Sequence, residues 1–329
     1  MEAKQGSALA GGGPGREPST RTVLPGSAAL GARLQFRAWQ LATAILTHLP
    51  LRAGYAAARV IGAGGYYLWP RGRRAMHRNY RRVLPGASRD DIRRTARRSL
   101  ANYCCYLVDF IRFPALTPEQ IQDAVSRPER FTDLDRALAR GKGTVIVGLH
   151  FGNWDLGAGA TAARGYPVTV VAETFGDQRL DALVVGARTR LGMSVLKMEH
   201  AGPSLIRTLN RNGLLALLID RPLAGEGVRV NFFGAPVEVP AGPARLALRT
   251  GAAVVLVAFP RVAHNRLAVE TLTDFDFTIP TGRAEADVVR LTQQIMDAAE
   301  RFIRQHPDQW YMFREMWPRR PAVAGGRAS

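Results

Sequence analysis

A histidine and an aspartate separated by four residues, His150 and Asp155, stand in the segment 143–156, GTVIVGLHFGNWDL. A neutral imidazole can take a proton from a hydroxyl group, and a carboxylate on its other nitrogen would fix the tautomer and stabilise the imidazolium that forms. No serine or cysteine stands beside the pair as a protein nucleophile, which directs attention to a substrate hydroxyl. The pair therefore predicts direct group transfer.

The surrounding residues predict a strand followed by a helix. Residues 144–149 form a β-branched, apolar run bounded by glycines, which is typical of a buried strand. Asn153 is a good helix cap, and Asp155 would place a carboxylate in the first turn. We expect a tight corner at residues 151–152 that lets the side chains of His150 and Asp155 meet. A histidine with a local hydrogen bond and an aspartate that only caps the helix would explain the same spacing.

The sequence HFGNWD at 150–155 resembles the H-X4-D signature of the glycerolipid acyltransferase superfamily. The resembling branch contains lipid A secondary acyltransferases and phosphatidylinositol mannoside acyltransferases. Further blocks resemble it in consistent order over residues 34–318: NYRRVLP at 79–85, ANYCCYLVDF at 101–110, DR at 220–221, NFFG at 231–234, PAGPARLALRTGA at 240–252 and HPDQW at 306–310. The resemblance implies an O-acyltransferase with His150 as general base and Asp155 as the residue that orients it.

The same resemblance implies an acyl thioester donor, carried by coenzyme A or an acyl carrier protein, and a glycolipid hydroxyl as acceptor. It implies no metal or bound cofactor. Charge developing on the thioester carbonyl would need donors, for which we consider the backbone amides of the turn at 152–154. A hydrolase that uses water at the same pair is an alternative, although no protein nucleophile or metal-ligand cluster accompanies the pair.

Further candidates for substrate binding are Asn153, Arg188, Asp220 and Arg221. Asp220 and Arg221 close the predicted strand LLALLID, where an arginine would clamp a phosphate or a phosphopantetheine-linked donor, or would pair with a neighbouring carboxylate. Arg188 resembles an arginine near the donor site of the mannoside branch, and a charge on a helix surface would explain it equally.

One position departs from the mannoside branch, which commonly carries an acidic residue where Arg229 stands. Glu226, three residues earlier, is the candidate to replace that third acidic member of the site. Phe232 and Phe233 fit either the wall of an acyl tunnel or an ordinary core.

The composition favours a folded protein with an anionic partner. The chain has 329 residues, 47% of them apolar, and a formal net charge of +18. Such a charge fits nucleic acid, an acidic membrane surface or a phosphate-bearing substrate. Cys104 and Cys105 are adjacent, so they form neither an ordinary disulfide nor a zinc site, and we expect buried thiols in a reducing compartment.

The positive charge is concentrated after an apolar segment. Residues 34–69 are apolar and aromatic but interrupted by charges, and they predict two helices split at Pro50 that either lie in a bilayer interface or pack as core. Residues 71–98 then contain eleven arginines against Asp90 and Asp91. Anionic lipid would attract this run. Phosphodiester backbones would attract it too, but no nucleic-acid motif is recognisable and we expect no nucleic-acid partner.

These patterns divide the chain into four parts: a disordered tail (1–33), a helical, basic, membrane-associating region (34–125), an α/β acyltransferase core (126–318) and a second tail (319–329). Alternating strands and helices predict a layered α/β core with a mostly parallel sheet, whose ligands gather at the carboxyl ends of strands. The predicted location is the cytoplasmic face of the plasma (inner) membrane, with peripheral or monotopic attachment. The alternative is a non-catalytic basic protein that binds membranes or nucleic acid.

Overall fold

The computed structural model describes residues 26–126, 128–175, 177–221, 227–264, 266–272 and 283–317. Its amino-terminal part is helical, as predicted, and Pro50 separates the first two helices. Pro70 opens the third helix, and Ser88 and Asp91 form a capping box at the start of the fourth. These helices are α1 (Gly26–Leu46), α2 (Leu51–Leu68), α3 (Pro70–Val83) and α4 (Arg89–Arg112). Residues 1–25 of the predicted first tail and all of the second tail lie outside the described residues, whereas residues 26–33 of the first tail belong to α1.

A six-stranded, mostly parallel sheet forms the centre of the following region, as the alternating pattern predicted. Its strands are β2 (Thr144–Gly148), β3 (Val168–Ala172), β4 (Ser194–Lys197), β5 (Leu214–Leu218), β8 (Ala253–Ala258) and β11 (Glu270–Leu272). Their order across the sheet is β11-β8-β2-β5-β3-β4, and β11 alone runs antiparallel to its neighbour. His150 and Asp220 follow the carboxyl-terminal ends of the two central strands, β2 and β5.

Two apolar cores cover the opposite faces of this sheet. Ile146 and Val255 belong to one core, with helices α5 (Pro118–Asp123), α6 (Thr132–Leu138), α7 (Trp154–Ala163) and α8 (Gln178–Arg190). Val145 and Val254 belong to the other, with α9 (Gly202–Asn210), α10 (Gly242–Thr250) and α11 (Ala284–Gln305). Neighbouring residues of a strand thus enter different cores, because side chains alternate between the faces of a sheet.

Two small sheets complete the described structure. Strands β6 (Gly227–Phe232) and β7 (Ala235–Pro240) form an antiparallel hairpin on α11. Residues 233 and 234 both have positive φ, which is the backbone twist of a two-residue hairpin turn. Strands β1 (Val125–Ser126), β9 (Arg261–Ala263) and β10 (Arg266–Ala268) form the second small sheet, in the order β1-β10-β9.

The amino-terminal helices join the core through α4. One face of α2 packs on α4 through Tyr55, Ala58 and Gly62, while Val60 and Ile61 are 73% and 67% exposed. Met76 and Tyr80 of α3 enter the core that also contains α11. Within the described ranges, no helix combines the length and the apolar character that a bilayer span requires.

Candidate active site

His150 follows the end of β2, and the chain turns sharply at Gly152 before α7 begins. Gly152 has a φ of 61°, and a Cβ atom there would lie 2.0 Å from the carbonyl oxygen of Phe259. Only glycine fits this corner, because both its backbone conformation and the close approach of Phe259 exclude a side chain. The corner therefore fixes where His150 leaves the sheet.

The ring of His150 is held by Asp220, which follows the neighbouring strand β5. His150 Nδ1 lies 2.8 Å from Asp220 Oδ1, and the backbone amide of His150 donates to the same carboxylate at 3.0 and 3.1 Å. Asp220 is fully buried. Burial raises its pKa, but the charge and hydrogen bonds of His150 and the bond from Trp310 outweigh that effect and hold it below its ordinary value. A carboxylate in this position makes Nδ1 the protonated nitrogen and leaves Nε2 to accept a proton.

The carboxyl-terminal segment after α11 supports this pair from the other side. The indole nitrogen of Trp310 donates to Asp220 Oδ2 at 2.9 Å, and the amide of Tyr311 donates to the carbonyl of His150 at 2.8 Å. The amide of Gly152 donates to the carbonyl of Gln309 at 3.0 Å. Three consecutive residues of this segment thus fix the histidine, its carboxylate and the corner between strand and helix.

Asp155 has different partners from those predicted. Its carboxylate accepts from Arg188 Nε at 2.7 Å, from Arg188 Nη2 at 3.3 Å and from the hydroxyl of Tyr106 at 2.7 Å. The predicted contact with the His150 ring is therefore wrong, since Asp220 occupies that position. The first turn of α7 directs the side chain of Asp155 towards α8 and α4. Because this carboxylate is almost completely buried, an unpaired charge there would be strongly destabilising, and Arg188 neutralises it.

The arginine paired with Asp155 comes from the helix on which the sequence placed it. Arg188 lies on α8, and its side chain is only 15% exposed, so it is not a charge on a helix surface. Burial lowers the pKa of Arg188, but the charge and hydrogen bonds of Asp155, together with Tyr106, outweigh that effect and raise it above its ordinary value. Arg188 also lines the same cavity as Trp154 and Asp155.

Two residues predicted to bind substrate are instead buried and hold neighbouring groups of the site in place. Asn153 is fully buried, its oxygen caps α7 by accepting from the amide of Leu156, and its nitrogen donates to Asp109 at 2.7 Å. Asp220 is equally buried beneath His150. Neither side chain has a polar atom left for a substrate. Their prediction as ligands was wrong because a cap and an internal carboxylate look the same in sequence as polar residues at a site edge.

Asp109 of α4 belongs to a second buried group next to this one. Its carboxylate accepts from Asn153, from the hydroxyl of Tyr55 on α2 and from the guanidinium of Arg261. Arg261 is held in turn by Gln309, whose side-chain oxygen accepts from the Arg261 amide at 2.7 Å. The cap of α7 is thereby tied to α2, α4 and the carboxyl-terminal segment.

The remaining candidates lie in different places. Arg221 is half-buried after Asp220 and close enough to Tyr103 to lower the pKa of that hydroxyl, although burial raises it by more. Glu226 lies outside the described residues. Arg229 is exposed on β6. Phe232 and Phe233 are buried against Trp310 and belong to the core rather than to a tunnel wall.

The predicted backbone donors for a carbonyl oxygen are largely engaged elsewhere. The amide of Gly152 donates to Gln309, and that of Asn153 donates to Phe259 at 3.0 Å. A different donor lies next to His150: the indole of Trp154 meets the imidazole edge-on, with ring centroids 5.3 Å apart. Its Nε1–H is buried, and among the described residues it has no acceptor. An unpaired buried donor is costly, which makes this group a candidate to meet a ligand oxygen.

An apolar cavity of about 70 Å³ lies between the sheet and helices α6, α7 and α8. Its polar end is formed by Trp154, Asp155 and Arg188, and its wall there includes Ala158. Strands β2, β3, β5, β8 and β11 contribute the opposite wall. The cavity therefore begins at Trp154, whose indole contacts His150, and runs along one face of the sheet. Its lining suits a hydrocarbon chain.

Two side chains that donate hydrogen bonds to the carboxylates of the site, Trp310 to Asp220 and Tyr106 to Asp155, were not predicted from the sequence. The sequence analysis included Trp310 and Tyr106 only as members of the HPDQW and ANYCCYLVDF blocks. Two features of the sequence pointed to a role for Trp310. The HPDQW segment resembles the family's closing block, and the N–H of a buried tryptophan usually donates to an acceptor. Neither signal names Asp220 as that acceptor, because the two residues are 90 positions apart.

Comparisons with known proteins agree with the resemblance in the HFGNWD segment. The family model described as bacterial lipid A biosynthesis acyltransferase matches residues 34–319. A phosphatidylinositol mannoside acyltransferase of Mycolicibacterium smegmatis is 31% identical over 278 residues, covering 79% of this chain and 85% of that protein. The phosphatidylinositol mannoside acyltransferases of two Mycobacterium tuberculosis strains, CDC 1551 and H37Rv, are each 30% identical over 259 residues, covering 77% of this chain and 79% of theirs. The chain therefore belongs to the bacterial lipid A biosynthesis acyltransferase family and is an acyltransferase.

Proposed function

We propose that this enzyme transfers a fatty acyl chain from an acyl thioester, carried by coenzyme A or an acyl carrier protein, to a hydroxyl of a membrane glycolipid. The acceptor would be a phosphatidylinositol mannoside or a lipid A precursor, and the former is favoured by the names of the relatives. The observation that carries the proposal is the His150 ring, held by Asp220 at a strand end beside an apolar cavity.

The reaction follows from the free nitrogen of His150. Nε2 takes the proton of the acceptor hydroxyl while its oxygen attacks the thioester carbonyl carbon, and the buried Asp220 carboxylate stabilises the imidazolium that forms. The tetrahedral intermediate then collapses with cleavage of the carbon–sulfur bond. The leaving sulfur takes the proton back from Nε2, so the products are an ester and a free thiol. No residue of the protein becomes acylated.

The negative charge on the carbonyl oxygen needs a donor during this step. The Nε1–H of Trp154 is supported as that donor by its burial, by its lack of an acceptor among described residues and by its contact with His150. One preorganised donor of this kind contributes about 10²- to 10³-fold in rate. The acyl chain would enter the cavity past Trp154, beyond the Asp155–Arg188 pair.

A purified-enzyme assay tests the proposal. Long-chain acyl-CoA and a phosphatidylinositol mannoside should yield free thiol together with an acylated lipid of the expected mass. His150→Ala should abolish transfer and leave the fold intact, whereas His264→Ala, an exposed histidine, serves as the matched control and should retain activity. Thiol release without acylated lipid, in the presence of acceptor, would instead identify a hydrolase and contradict the proposal.

The proposed setting is the cytoplasmic membrane surface. It is supported by the exposed apolar face of α2 and by the arginines of residues 71–98, of which Arg73 is half-buried and the other ten are exposed. A chain of aromatic contacts runs from Trp154 towards this surface and ends at Trp69, beside the exposed Leu68. These contacts join Trp154 to Tyr311, Tyr311 to Phe313 and Phe313 to Trp69, with ring centroids 6.1 to 6.2 Å apart.

Liposome flotation tests this attachment. A variant with four arginines replaced by glutamine should bind anionic liposomes more weakly at low salt, and the difference should shrink at high salt because screening removes the same attraction from the wild type. Residual binding should persist through the apolar face of α2. The four positions are Arg73, Arg74, Arg81 and Arg82. If flotation of this variant is unchanged at low salt, the arginine run does not bind the membrane.

A further inference from the structure

A cleft of about 390 Å³ lies between α2 and α4, away from the cavity next to His150. Three arginines line it, Arg59 from α2 and Arg97 and Arg98 from α4. Among the described residues, none of the three forms an ion pair with a carboxylate. Arg59 lies next to the Cys105 thiol and Arg97 next to the Tyr67 hydroxyl. Three guanidinium groups without carboxylate partners in one concave site create a strong preference for an anion.

The surroundings of the cleft restrict which anion fits. On α2, Val60 and Ile61 directly follow Arg59 and are largely exposed to solvent. An anion in the cleft therefore lies at the edge of an apolar face, where a lipid headgroup lies when its acyl chains are beside the helix. Asp308 also lines the cleft, with its carboxylate 3.4 Å from the side-chain nitrogen of Asn102. The Asp308 carboxylate repels a doubly charged anion more strongly than it repels a phosphodiester, which carries a single negative charge.

We infer that the cleft formed by Arg59, Arg97 and Arg98 binds the phosphodiester headgroup of an anionic phospholipid, with the lipid chains lying against the apolar face of α2. The inference rests on the membrane association proposed above and adds a specific site to it. Asp308 directly precedes Gln309, Trp310 and Tyr311, so a bound headgroup lies beside the segment that supports His150 and Asp220. The enzyme is then held in one orientation on the bilayer rather than by diffuse attraction alone.

The test compares two triple variants that remove the same charge from the same helical region. The cleft variant is Arg59→Gln, Arg97→Gln and Arg98→Gln. The control is Arg71→Gln, Arg74→Gln and Arg89→Gln, which are exposed arginines outside the cleft. Binding is measured by flotation on phosphatidylcholine vesicles and on the same vesicles containing phosphatidylglycerol, across a salt series. Circular dichroism and thermal unfolding verify that the variants fold.

At high salt, where screening removes diffuse attraction, the control should bind like the wild type. The cleft variant should remain at least about tenfold weaker and lose the preference for phosphatidylglycerol, since three guanidinium groups that donate hydrogen bonds to one phosphate keep that direct contact at an ionic strength that screens diffuse attraction. Ala63→Glu keeps all three arginines but places a carboxylate in the cleft, and it should cause the same loss. Equal behaviour of both triple variants at every salt concentration would overturn the inference.

Other ligands give distinct results. Selective displacement from vesicles by inorganic phosphate, beyond that by sulfate at equal ionic strength, would identify a free-phosphate site and overturn the lipid assignment. Loss of DNA binding by the cleft variant with unchanged flotation would identify a nucleic-acid site. If the wild type does not float with phosphatidylglycerol vesicles even at low salt, the proposed membrane association fails as well, whereas the acylation assay with detergent-dispersed acceptor judges the catalytic proposal separately.

Discussion

Replacement of Asp220 by asparagine should slow acyl transfer severely while leaving the fold in place. The Asp220 carboxylate accepts from three donors, the His150 amide, His150 Nδ1 and the Trp310 indole. Asparagine offers one oxygen and one NH₂ group, so its NH₂ group faces a donor unless the imidazole changes tautomer. The change would put the proton on Nε2, the nitrogen that must accept the hydroxyl proton. The equivalent substitution in a serine protease triad lowers kcat by about 10⁴-fold.

We therefore expect a fall in kcat of about 10³- to 10⁴-fold, or about 4 to 5.5 kcal/mol of transition-state stabilisation, with little change in KM for the acyl donor. The assay is steady-state thiol release with product detection by mass spectrometry, and ¹⁵N NMR of the histidine reports the tautomer. Asp155→Asn is the comparison, because it leaves the His150–Asp220 contact untouched and instead removes the charge paired with Arg188. If Asp220→Asn stays within about tenfold of wild type while the tautomer is unchanged, our assignment of Asp220 as the orienting residue is refuted.

The same variant has a defined effect on stability. The pKa of Asp220 in the folded protein lies below its ordinary value, so its interactions add stability at pH values above the unfolded pKa, and that stability is lost as the pH falls through the folded pKa. The asparagine side chain of the variant cannot titrate. The deficit in unfolding free energy of Asp220→Asn relative to wild type should therefore be constant near neutrality and shrink below about pH 4. A deficit that grows towards low pH would contradict this sign.

Three further outcomes follow from the structure. Asp109→Asn should lower the free energy of unfolding by about 3 to 5 kcal/mol in urea titrations, because it leaves the buried Arg261 guanidinium without its carboxylate, and a loss below about 1 kcal/mol would contradict the ion pair. Burial raises the pKa of Cys104 to about 11, so alkylation by iodoacetamide at pH 8 should be about hundredfold slower than for a free thiol, and fast labelling of the folded protein would show that the site is open. Ala158→Leu should fill the cavity and lower turnover of long-chain thioesters at least about tenfold relative to short-chain ones, with equal losses for both pointing to misfolding rather than to chain accommodation.

The sequence allowed the mostly parallel sheet, the helix boundaries at Pro50 and Asn153 and the place of His150 to be predicted, because these depend on local patterns. A β-branched run, a cap at Asn153 and a glycine at the corner each act within a few residues of the feature that they specify. Asp220 was correctly placed at the end of a neighbouring strand. Its contact with His150 was not predicted, since the order of strands in the sheet decides which strand ends are adjacent, and β2 and β5 are separated by two strands in the chain.

The partner of Asp155 was misassigned for a related reason. Proximity in sequence favoured His150, five positions away, but the first turn of α7 rotates Asp155 towards α8 and α4. The direction in which the Asp155 side chain leaves α7 depends on the turn geometry at Gly152. The spacing of residues in the sequence does not specify that geometry. Arg188 was noted by resemblance, and its contact with Asp155 became visible only when the helices were packed.

The carboxyl-terminal segment has a consequence for the synthesis of the enzyme. A nascent chain that ends at residue 305 contains His150, Asp220 and the whole sheet, but it lacks the indole that donates to Asp220, the carbonyl that receives the Gly152 amide and the amide that binds the His150 carbonyl. These contacts close loops of about 90 to 160 residues, so they form late in folding. The support that residues 309–311 give to the active centre is thus added after the strands of the sheet have been synthesised. A chain that stops at residue 305 keeps the His150–Asp220 pair but lacks the three contacts that fix it from the other side.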